Sequence, residues 1–520
     1  MKIFSDEQVY EGDKFTAQKQ QITSIELMER AGIQIFNWLH LRMQGAQVPI
    51  HVFCGIGNNG GNGLVVARHL VNHGYNVHTY VVNFSDKRTK GFLVNYDLMK
   101  QTQKKWPTLI GPKDDFPKIG PDDIILDAVF GVGLNRPADD WVVHLFQHFK
   151  ASKAFVLSVD IPSGLKTNAA PVKDTDVVWA NHTLSFQSPK LVFFLEDTAK
   201  FTAQWEVLDV GIDPEYLQKT NTLTTLITKQ DILPVYKPRK PFSHKGTYGH
   251  ALLIGGSYGK IGAVQLASRA TLVSGAGLVT AFVPKCGYLP LQSSVPELML
   301  ITDTNDTCIS NIAIPIEPTV IGIGVGMGTS EETASAFTDF LNQNTKPLVI
   351  DADGLNLLAK TPALMEKLPK YSVLTPHAKE LERLIGKWSN DFDKLDKAIN
   401  LSEKYNIILV LKGRFTLIVY KKNLYINATG NPGLATGGTG DVLTGIITGL
   451  MAQQYEPLEA AIFGVYLHGK SADIAVQDFG YEAMTASRVI SYLPKAFLDL
   501  FVKPEPPKTA NKQDDKTTKK

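Results

Sequence analysis

Three segments of the N-terminal half combine glycines with acidic, amide or hydroxyl side chains. They are the run GIGNNGGNG at 55–63, the loop from Asp127 to Pro137, and the stretch VDIPSG that begins at Val159. Glycine amides at the start of a helix bind anions such as phosphate. The carboxylates of Asp127 and Asp160 add groups that hold a cation or move a proton. Each segment alone also fits an ordinary turn, but three at one sheet edge favour a ligand site.

The segment TGGTGD, which ends at Asp441, carries the clearest chemistry of the C-terminal half. Gly437, Gly438 and Gly440 precede an apolar helical run, so their amides can form an anion-binding nest at a helix N-terminus. A carboxylate beside such a nest deprotonates a hydroxyl while that hydroxyl attacks a phosphoryl group. The alternative is an ordinary helix start, which does not require three glycines. The pattern favours phosphoryl transfer with Asp441 as the base.

Other candidate contacts in this half also follow apolar runs. Lys412 to Thr416 follow NIILVL, a position suited to an adenine nucleotide, and His377 follows YSVLTP. A lone histidine is more often structural, but the carboxyl end of a strand places it to contact a substrate. Glycine-rich stretches at 255–263 and 324–328 allow further close approach of the backbone, although each is equally compatible with a turn.

Three motif matches mislead. Residues 55–60 satisfy GxGxxG, but a dinucleotide fold also needs an acid about 20 positions later. Here the second apolar run ends at Asn83, with no acid until Asp86, which argues against a standard NAD hydride site. Residues 464–471 match the Walker A pattern, yet their apolar spacing predicts a continuous helix. Residues 351–354 begin like a calcium loop but lack its later ligands.

The composition restricts the class of protein. Of 520 residues, 44% are hydrophobic and 20% charged, as in globular domains. Lys and Arg number 53 against 51 Asp and Glu, which gives no reason to expect nucleic acid or a membrane as a partner. The 3 cysteines form no CxxC or Cys–His cluster, which argues against a disulfide scaffold or structural zinc. Without a signal sequence or a long apolar run, we expect a cytoplasmic protein.

Helical and strand patterns alternate along most of the chain. Residues 22–43 repeat apolar side chains at helical spacing. A first series of predicted strands lies at 48–54, 76–83, 122–130 and 154–161. A second series lies at 250–256, 278–284, 318–324, 347–353, 371–376 and 406–413. Because the two series differ in their glycine-rich loops, they predict two unlike α/β domains with parallel sheets.

The ends of these series set the predicted domain boundaries. The first domain is expected over 1–215 and the second over 241–503. Residues 216–240, which mix prolines and charges, are predicted to be a linker. Residues 504–520 are rich in proline and lysine with little to bury, so we predict a disordered tail.

The motifs MERAG, GNNGG-x-G, DAVFGVG and VDIPSGL resemble those of NAD(P)H-hydrate epimerases over residues 1–215. That family interconverts the R and S forms of reduced nicotinamide cofactors to whose ring water has added. The resemblance implies a Rossmann-like three-layer α/β domain, with Asp160 at the reacting part of the substrate as a catalytic residue. It also implies these substrate-binding residues: Asn58, Asn59, Gly60, Gly61, Asn62, Gly131, Val132, Gly133, Leu134, Asn135, Arg136 and Pro137.

The same resemblance implies a potassium ion held by oxygen atoms of Asn59, Asp127 and Ser163, since a hard cation prefers oxygen ligands. The chain departs from the family at Asn62, where an aspartate is usual. A negative charge and an acceptor pair are missing there, whereas the backbone amides are unchanged. This departure bears on catalysis rather than on binding.

The motifs HKGTYGHALLIGGSYG, LTPHAKE, NPGLATGGTGDVLTGI and GVYLHG resemble ADP-dependent NAD(P)H-hydrate dehydratases, a branch of the ribokinase-like fold. The resemblance covers residues 240–500. It implies nucleotide binding by Lys412, Gly413, Arg414, Phe415, Thr416 and Gly440. It implies hydrate binding by Ala263, Gly326, His377 and Asp441, with Asp441 activating the hydroxyl of the hydrate. Mg²⁺ is expected wherever phosphates are bridged.

Together these patterns predict a bifunctional cofactor-repair enzyme. The N-terminal domain would epimerise NADHX and NADPHX, the hydrates of NADH and NADPH, and the C-terminal domain would dehydrate the S form with ADP. AMP and phosphate would be the other products, and the families imply a homo-oligomer. ADP rather than ATP is inferred from the family, not from a particular residue.

Two rival functions stay open from the sequence. One is a small-molecule kinase of the same fold, which would release a phosphorylated product. The other makes the N-terminal half a nucleotide-binding or protein-interaction module that has lost catalysis. Asn62 supports this second rival, while Asp127, Asp160 and Ser163 weigh against it.

Overall fold

The structure is a computed structural model that describes residues 1–102, 106–134 and 136–502. Asn135 and the predicted tail at 504–520 lie outside the described residues. The chain forms two compact units, which we call unit 1 and unit 2. Unit 1 comprises 1–226, 381–409 and 417–426. Unit 2 comprises 227–380, 410–416 and the described residues from 427 onwards.

The strands and helices have the following bounds. The strands are β1 (Lys2–Ile3), β2 (Ile50–Cys54), β3 (Val77–Val82), β4 (Thr108–Ile110), β5 (Ile124–Ala128), β6 (Phe155–Val159), β7 (Ala180–Phe186), β8 (Thr202–Leu208), β9 (Thr224–Ile227), β10 (His250–Ile254), β11 (Leu278–Val283), β12 (Met299–Thr302), β13 (Val320–Ile323), β14 (Leu348–Ile350), β15 (Val373–Leu374), β16 (Ile408–Leu411), β17 (Thr416–Tyr420) and β18 (Asn423–Asn427). The helices are α1 (Asp6–Gln20), α2 (Ser24–Met43), α3 (Asn58–Asn72), α4 (Lys90–Thr102), α5 (Asp140–Ser152), α6 (Glu196–Ala199), α7 (Pro214–Lys219), α8 (Lys229–Ile232), α9 (Ile261–Val273), α10 (Tyr288–Ser294), α11 (Glu331–Gln343), α12 (Asp353–Lys360), α13 (Ala378–Ile385), α14 (Asp391–Tyr405), α15 (Thr439–Ala452), α16 (Pro457–Phe479) and α17 (Ala486–Asp499).

The described part of unit 1 contains a parallel sheet of seven strands in the order β4-β3-β2-β5-β6-β7-β8. Helices α2, α3 and α4 cover one face through side chains such as Ile35, Leu64 and Phe92. Helix α5 covers the other face through Phe146 and Phe149. The predicted three-layer α/β arrangement is therefore confirmed.

Local capping fixes where the first two helices begin. Ser5 and Gln8 form a capping box at the start of α1, and Thr23 and Glu26 form one at the start of α2. In each, a hydroxyl accepts from a free amide of the first turn while the partner side chain accepts from the cap amide. These boxes set the register of α1, a helix that the apolar pattern did not predict.

The strands β15, β14, β13, β10, β11 and β12 of unit 2 lie side by side in that order, all parallel. Helices α9 and α15 pack against each other and against this sheet. Their backbones approach closely, because a Cβ at Gly445 would lie 2.1 Å from the carbonyl oxygen of Ala267. The Walker-like residues 464–471 lie inside α16, so the prediction that they form no phosphate loop is confirmed.

The predicted linker at 216–240 contains the end of α7 together with β9 and α8. The division between the two units falls at 226–227, and residues 381–409 group with unit 1. The boundaries at 215 and 241 stay predictions. No helix in the described ranges is both long enough and apolar enough to cross a membrane.

Candidate functional sites

A cavity of about 460 Å³ opens in unit 1 at the carboxyl ends of its strands. It is lined by nine of the predicted substrate-binding residues: Asn58, Asn59, Asn62, Gly131, Val132, Gly133, Leu134, Arg136 and Asp160. Of the other predicted residues, Gly60 and Gly61 are buried beneath the cavity wall and Pro137 is exposed outside it. The structure thus brings the three sequence segments together around one space.

The glycine-rich run forms the start of α3. A Cβ at Gly60 would lie 1.7 Å from the carbonyl oxygen of Gly55, so Gly60 permits close packing rather than ligand contact. The side-chain amide of Asn59 donates to the carbonyl oxygens of Phe130 at 2.8 Å and Val159 at 3.2 Å. These bonds tie the other two segments to the helix start.

Asp127, the last residue but one of β5, is completely buried. Its carboxyl accepts from the Ser158 hydroxyl at 2.8 Å, and from the Ser163 amide at 2.9 Å and hydroxyl at 2.5 Å. Burial raises its pKa, and the hydrogen bonds from Ser163 and Ser158 oppose that shift. Among the described residues no basic side chain pairs with it. A buried carboxyl surrounded by oxygen atoms and lacking a basic partner suits a hard cation.

Asp160 lies at the end of β6 with a left-handed backbone, φ +67°. Its carboxylate forms an ion pair with Lys190 at 2.9 Å and accepts from the Phe186 amide at 3.0 Å. Lys190 is 2% exposed, so this pair is shielded from water on the lysine side. A non-glycine residue with positive φ at a cavity wall marks a position where the fold holds a side chain in place.

Helix α1 contributes three cavity residues that sequence reasoning missed, Val9, Tyr10 and Asp13. Burial and, to a smaller extent, the nearby charge of Asp160 raise the pKa of Asp13 to about 6, against an opposing effect of Lys190. The side chain of Asp13 forms no hydrogen bond or ion pair with any residue that the structure describes. No motif marks α1; the only available signal was the spacing of Asp6, Tyr10 and Asp13 along one helix face.

In unit 2, α15 begins directly after Gly438, which has φ +90°. Asp441 lies in the first turn of that helix, as predicted. Burial raises its pKa to about 7, aided chiefly by the carboxylate of Asp351 and opposed by Lys412. In the described parts of the chain its side chain has no hydrogen-bond or ion-pair partner. The arrangement holds a carboxyl that ionises near neutral pH beside a glycine nest.

Lys412, the first of the predicted nucleotide-binding residues, lies next to the glycine nest at the start of α15. Its ammonium lies 2.8 Å from Asp351 and 3.9 Å from Glu380, and Asp351 also accepts from the Thr444 hydroxyl at 2.7 Å. A Cβ at Gly440 would lie 3.4 Å from the Lys412 Nζ atom. Lys412 and Gly440 are therefore adjacent. Asp351 belongs to the stretch that was set aside as a false calcium loop.

The residues after Lys412 form a tight turn between β16 and β17. Gly413 and Arg414 are exposed, and Phe415 and Thr416 are partly buried. Arg414 donates to the carbonyl oxygen of Gly430 at 3.0 Å, and its guanidinium lies 4.7 Å from the centre of the Phe415 ring. The turn presents a flat cationic and aromatic surface, which suits a nucleobase.

His377 follows β15 by three residues and directly precedes α13. Its Nδ1 atom accepts from the Lys379 amide at 3.1 Å, and its Nε2 atom lies 3.3 Å from Glu380. The backbone of His377 bridges to that of Lys412 in parallel register. The side chain is half exposed, so His377 caps the start of α13 while one edge of its ring stays accessible to a ligand.

The other predicted hydrate residues, Ala263 and Gly326, face each other. A Cβ at Gly326 would lie 2.9 Å from that of Ala263. The same glycine loop continues to Gly328, whose amide donates to Asp353 at 2.9 Å. Asp353 is in turn one of the carboxylates that raise the pKa of Asp441. These contacts connect the predicted hydrate residues to the predicted base.

His468 is a further residue at this site to which sequence reasoning gave no role. It lies on α16, is 9% exposed, and is near the backbone of Thr439 in the first turn of α15. Burial lowers its pKa to about 4, so the imidazole is neutral at physiological pH. Its Nε2 atom has no partner among the described residues. This histidine belongs to the motif GVYLHG, but a histidine inside a predicted helix is more often a core residue than a ligand contact.

Two family descriptions match the chain. "YjeF-related protein N-terminus" matches residues 24–192, and "NAD(P)H-hydrate dehydratase" matches residues 251–495. The fold class predicted from the sequence, two unlike α/β domains of Rossmann-like and ribokinase-like type, is confirmed by these matches and by the parallel sheets.

Curated relatives match almost the whole chain. The "bifunctional NAD(P)H-hydrate repair enzyme Nnr" of Moorella thermoacetica is 34% identical over 94% of this chain and 95% of its own length. That of Coxiella burnetii is 34% identical over 94% and 98%, and that of Escherichia coli K12 is 33% identical over 95% and 93%.

A solved structure of "ADP/ATP-dependent NAD(P)H-hydrate dehydratase" from Bacillus subtilis, co-crystallised with ATP and Mg²⁺, is 28% identical. It covers 53% of this chain and 98% of its own, with a TM-score of 0.47.

Proposed function

This chain belongs to the family of bifunctional NAD(P)H-hydrate repair enzymes, and we propose that its two carboxylate sites divide that repair between them. Its activities are NAD(P)H-hydrate epimerase and NAD(P)H-hydrate dehydratase. The unit 1 site interconverts the R and S hydrates. The unit 2 site returns the S hydrate to NAD(P)H with ADP as phosphate donor. The observation that carries this proposal is Asp441, a carboxyl with a pKa of about 7 beside a glycine nest.

In the epimerase site the hydrate occupies the cavity of unit 1. The start of α3, through Asn58, Asn59 and Asn62, and the cavity-lining residues of the loop after β5 contact its phosphates and ribose, since backbone amides at a helix start favour anions. Asp160 faces the reacting ring, and its ion pair with Lys190 fixes the position of the side chain that exchanges a proton with the substrate.

A potassium ion fits beside this cavity, held by Asn59, Asp127 and Ser163. The burial of Asp127 among hydroxyl and amide groups supports this assignment, because a buried carboxyl needs a compensating charge. When bound, the ion supplies fixed positive charge beneath the phosphate-binding loops. The hydrogen bonds of Asn59 to Phe130 and of Ser163 to Asp127 hold the glycine-rich loops in place.

In the dehydratase site Asp441 takes the proton of the hydrate hydroxyl as that oxygen attacks the terminal phosphoryl group of ADP. The bond to AMP breaks, and the amides of Gly438 and Gly440 face the transferred group. The phosphorylated oxygen then leaves as phosphate with loss of a ring proton, which restores the double bond of NAD(P)H. Ala263, Gly326 and His377 hold the hydrate.

The nucleotide lies on Lys412 to Thr416 and Gly440 in this proposal. The described residues contain no group of three acidic, histidine or cysteine side chains placed to hold a metal, so Mg²⁺ is proposed here only as an ion that the nucleotide phosphates would hold and whose charge would offset theirs. ADP is proposed as the donor on the strength of the family.

A cytoplasmic location, assembly into a homo-oligomer, and the absence of nucleic acid and membrane partners stay proposals. They rest on the near-balanced charge and on the family.

The products distinguish this function from its rivals. Purified protein is mixed with R and S hydrates, ADP and Mg²⁺, while absorbance of reduced nicotinamide, AMP and phosphate are followed. We expect one AMP and one phosphate for each NAD(P)H formed, with both epimers consumed. Phosphate retained on the product would identify the small-molecule kinase. Recovery that stops when the S form is exhausted would identify a non-catalytic N-terminal half.

A further inference from the structure

Asp13 is a carboxyl of the epimerase cavity to which the proposed function gives no role. It lies in the interior of α1, faces the cavity that Asp160 also lines, and has no side-chain partner among the residues described. It also borders a smaller, mostly apolar pocket lined by Phe4, Val9 and Ile212. Partial burial of a carboxyl without a compensating contact favours its protonated form relative to a carboxyl in water.

Two charged groups, Asp160 and Lys190, and two tyrosines lie near Asp13. Asp160 follows β6, and its negative charge favours the protonated form of Asp13. Lys190, after β7, opposes that effect but is already paired with Asp160 at 2.9 Å. Tyr216 of α7 packs against Gly12, and Tyr10 lies one turn away on α1. The cavity therefore holds one ion-paired carboxylate and one carboxyl without a partner.

One route to epimerisation of a hydrate of this kind, ring opening, uses such a pair. Water adds to the reduced ring on the carbon beside the ring nitrogen, so that carbon carries both a hydroxyl and the nitrogen. Its configuration inverts when the ring opens to an aldehyde, the adjacent single bond rotates, and the ring closes on the other aldehyde face. Opening requires a base at the hydroxyl and an acid at the nitrogen at the same time. Two carboxyl groups in unlike environments supply both roles.

We propose that Asp13 is the general acid of the epimerase and acts opposite Asp160 as the general base. This inference rests on the proposed function of unit 1. The Asp160 carboxylate removes the hydroxyl proton, the carbon–oxygen bond becomes a carbonyl, and the carbon–nitrogen bond breaks. The bonding pair goes to the ring nitrogen, which takes the proton of Asp13. Closure reverses each transfer, so both side chains return to their starting states and no atom is gained or lost.

The roles predict a particular pH dependence. Asp13 must be protonated to act, and its pKa is raised to about 6 by burial and by Asp160. The catalysed rate therefore falls as pH rises through about 6, approaching tenfold per pH unit above it. A rate that is flat or that rises over the same range contradicts the proposal, whatever any variant does.

Asp13→Asn tests the assignment directly, since the amide keeps the shape but cannot transfer a proton. Conversion of R to S hydrate is followed by chromatography without ADP, after subtraction of the uncatalysed rate. We expect kcat to fall about 10²- to 10⁴-fold. Glu11→Gln, the same change of charge at an exposed position of α1, is the matched control and should keep the wild-type rate. Equal rates for Asp13→Asn and wild type overturn the inference and leave the proposed function standing.

A second variant guards against a folding defect. Asp13→Glu retains the acid and should recover part of the rate that Asp13→Asn loses, with a falling limb still present in its pH profile. If Asp13→Glu is as inactive as Asp13→Asn while both melt cooperatively at the wild-type temperature, the acid role is wrong. If the wild type itself converts R to S no faster than the uncatalysed reaction, the proposed function of unit 1 fails and this inference falls with it.

Discussion

The cavity of unit 1 and the nest of unit 2 are built on the same electrostatic plan. Each contains a largely buried Asp–Lys ion pair, Asp160 with Lys190 at 2.9 Å and Asp351 with Lys412 at 2.8 Å. Buried pairs of this kind are stable when hydrogen bonds replace the lost water. The Phe186 amide donates such a bond to Asp160, and the Thr444 hydroxyl donates one to Asp351.

Each site also holds a second carboxyl that lacks such a partner in the described structure. Its pKa rises to about 6 at Asp13 and to about 7 at Asp441, in both cases mainly through burial and a neighbouring carboxylate. The surroundings differ. Asp13 lies inside a helix, whereas Asp441 lies in a first turn beside glycine amides that favour anions. In the functions proposed for the two units, the same plan serves a general acid in unit 1 and a general base in unit 2.

Removing the base should have the largest effect. Asp441→Asn is expected to lower the dehydratase rate about 10²- to 10⁴-fold, because the hydrate hydroxyl loses its proton acceptor. Epimerase activity should be unchanged, and that activity in the same sample serves as the control. A loss smaller than about tenfold would show that the base lies elsewhere.

Breaking the ion pairs should affect stability unequally. Lys190→Met leaves Asp160 buried without a partner, and such losses cost about 3–5 kcal/mol. Lys412→Met should cost less, because the Lys412 side chain is 21% exposed and that of Lys190 only 2%. Denaturant unfolding of both variants measures the two free energies. A larger loss for Lys412→Met would contradict the comparison.

The two activities should respond to pH in opposite directions. Dehydratase activity rises as pH increases through about 7, because Asp441 acts only when ionised. Epimerase activity falls as pH increases through about 6, because Asp13 acts only when protonated. Each rate is measured separately on saturating substrate between pH 5 and 9. Parallel profiles would refute the division into acid and base.

A single methyl group should weaken the nest. Gly438→Ala places a side chain on a residue with φ +90° and within 2.5 Å of Leu266, so the start of α15 must shift. We expect the KM for ADP to rise about tenfold, in line with about 1–2 kcal/mol of left-handed strain. Gly437→Ala is the matched control, since nothing described lies within 4 Å of its Cβ. Equal effects of the two variants would argue against the nest.

The smallest change is expected at Asn62. Asn62→Asp restores the aspartate that is usual in the epimerases, at a position that lines the cavity without a side-chain hydrogen bond in the described structure. A partly solvated charge contributes little, so the epimerase rate should change less than about threefold. A gain of a hundredfold or more would show that Asn62 limits this enzyme.

Most of the sheet strands that carry the sites could be predicted, because they are continuous apolar runs buried on both faces. The predicted runs correspond to β2, β3, β5 and β6 in unit 1. Strands β7 and β8 were missed, since their sequences ANHTLSF and TAQWEVL mix polar and apolar residues. Strand β8 ends the sheet order and is mostly exposed or partly buried, which accounts for its polar residues. In β7 polar side chains such as Thr183 and Ser185 are buried, so its sequence lacks a continuous apolar run although the strand is covered.

The candidate sites divide in the same way. Asp441, Asp160 and the glycine loops could be predicted because they belong to contiguous motifs at the ends of predicted strands or helices. Asp13 and His468 were not, because each lies inside a helix and meets its site only through the fold. A helical carboxyl or imidazole carries no local signal that separates a catalytic group from a solvated or buried one.

The most direct test of the account starts from the R hydrate alone. The protein is given R hydrate, ADP and Mg²⁺, and the absorbance of reduced nicotinamide is followed against the rate at which R and S interconvert without enzyme. The account predicts recovery that exceeds this uncatalysed rate by at least about a hundredfold, because unit 1 supplies S hydrate to unit 2. Recovery at the uncatalysed rate would contradict a working epimerase, and no recovery at all would contradict the repair function itself.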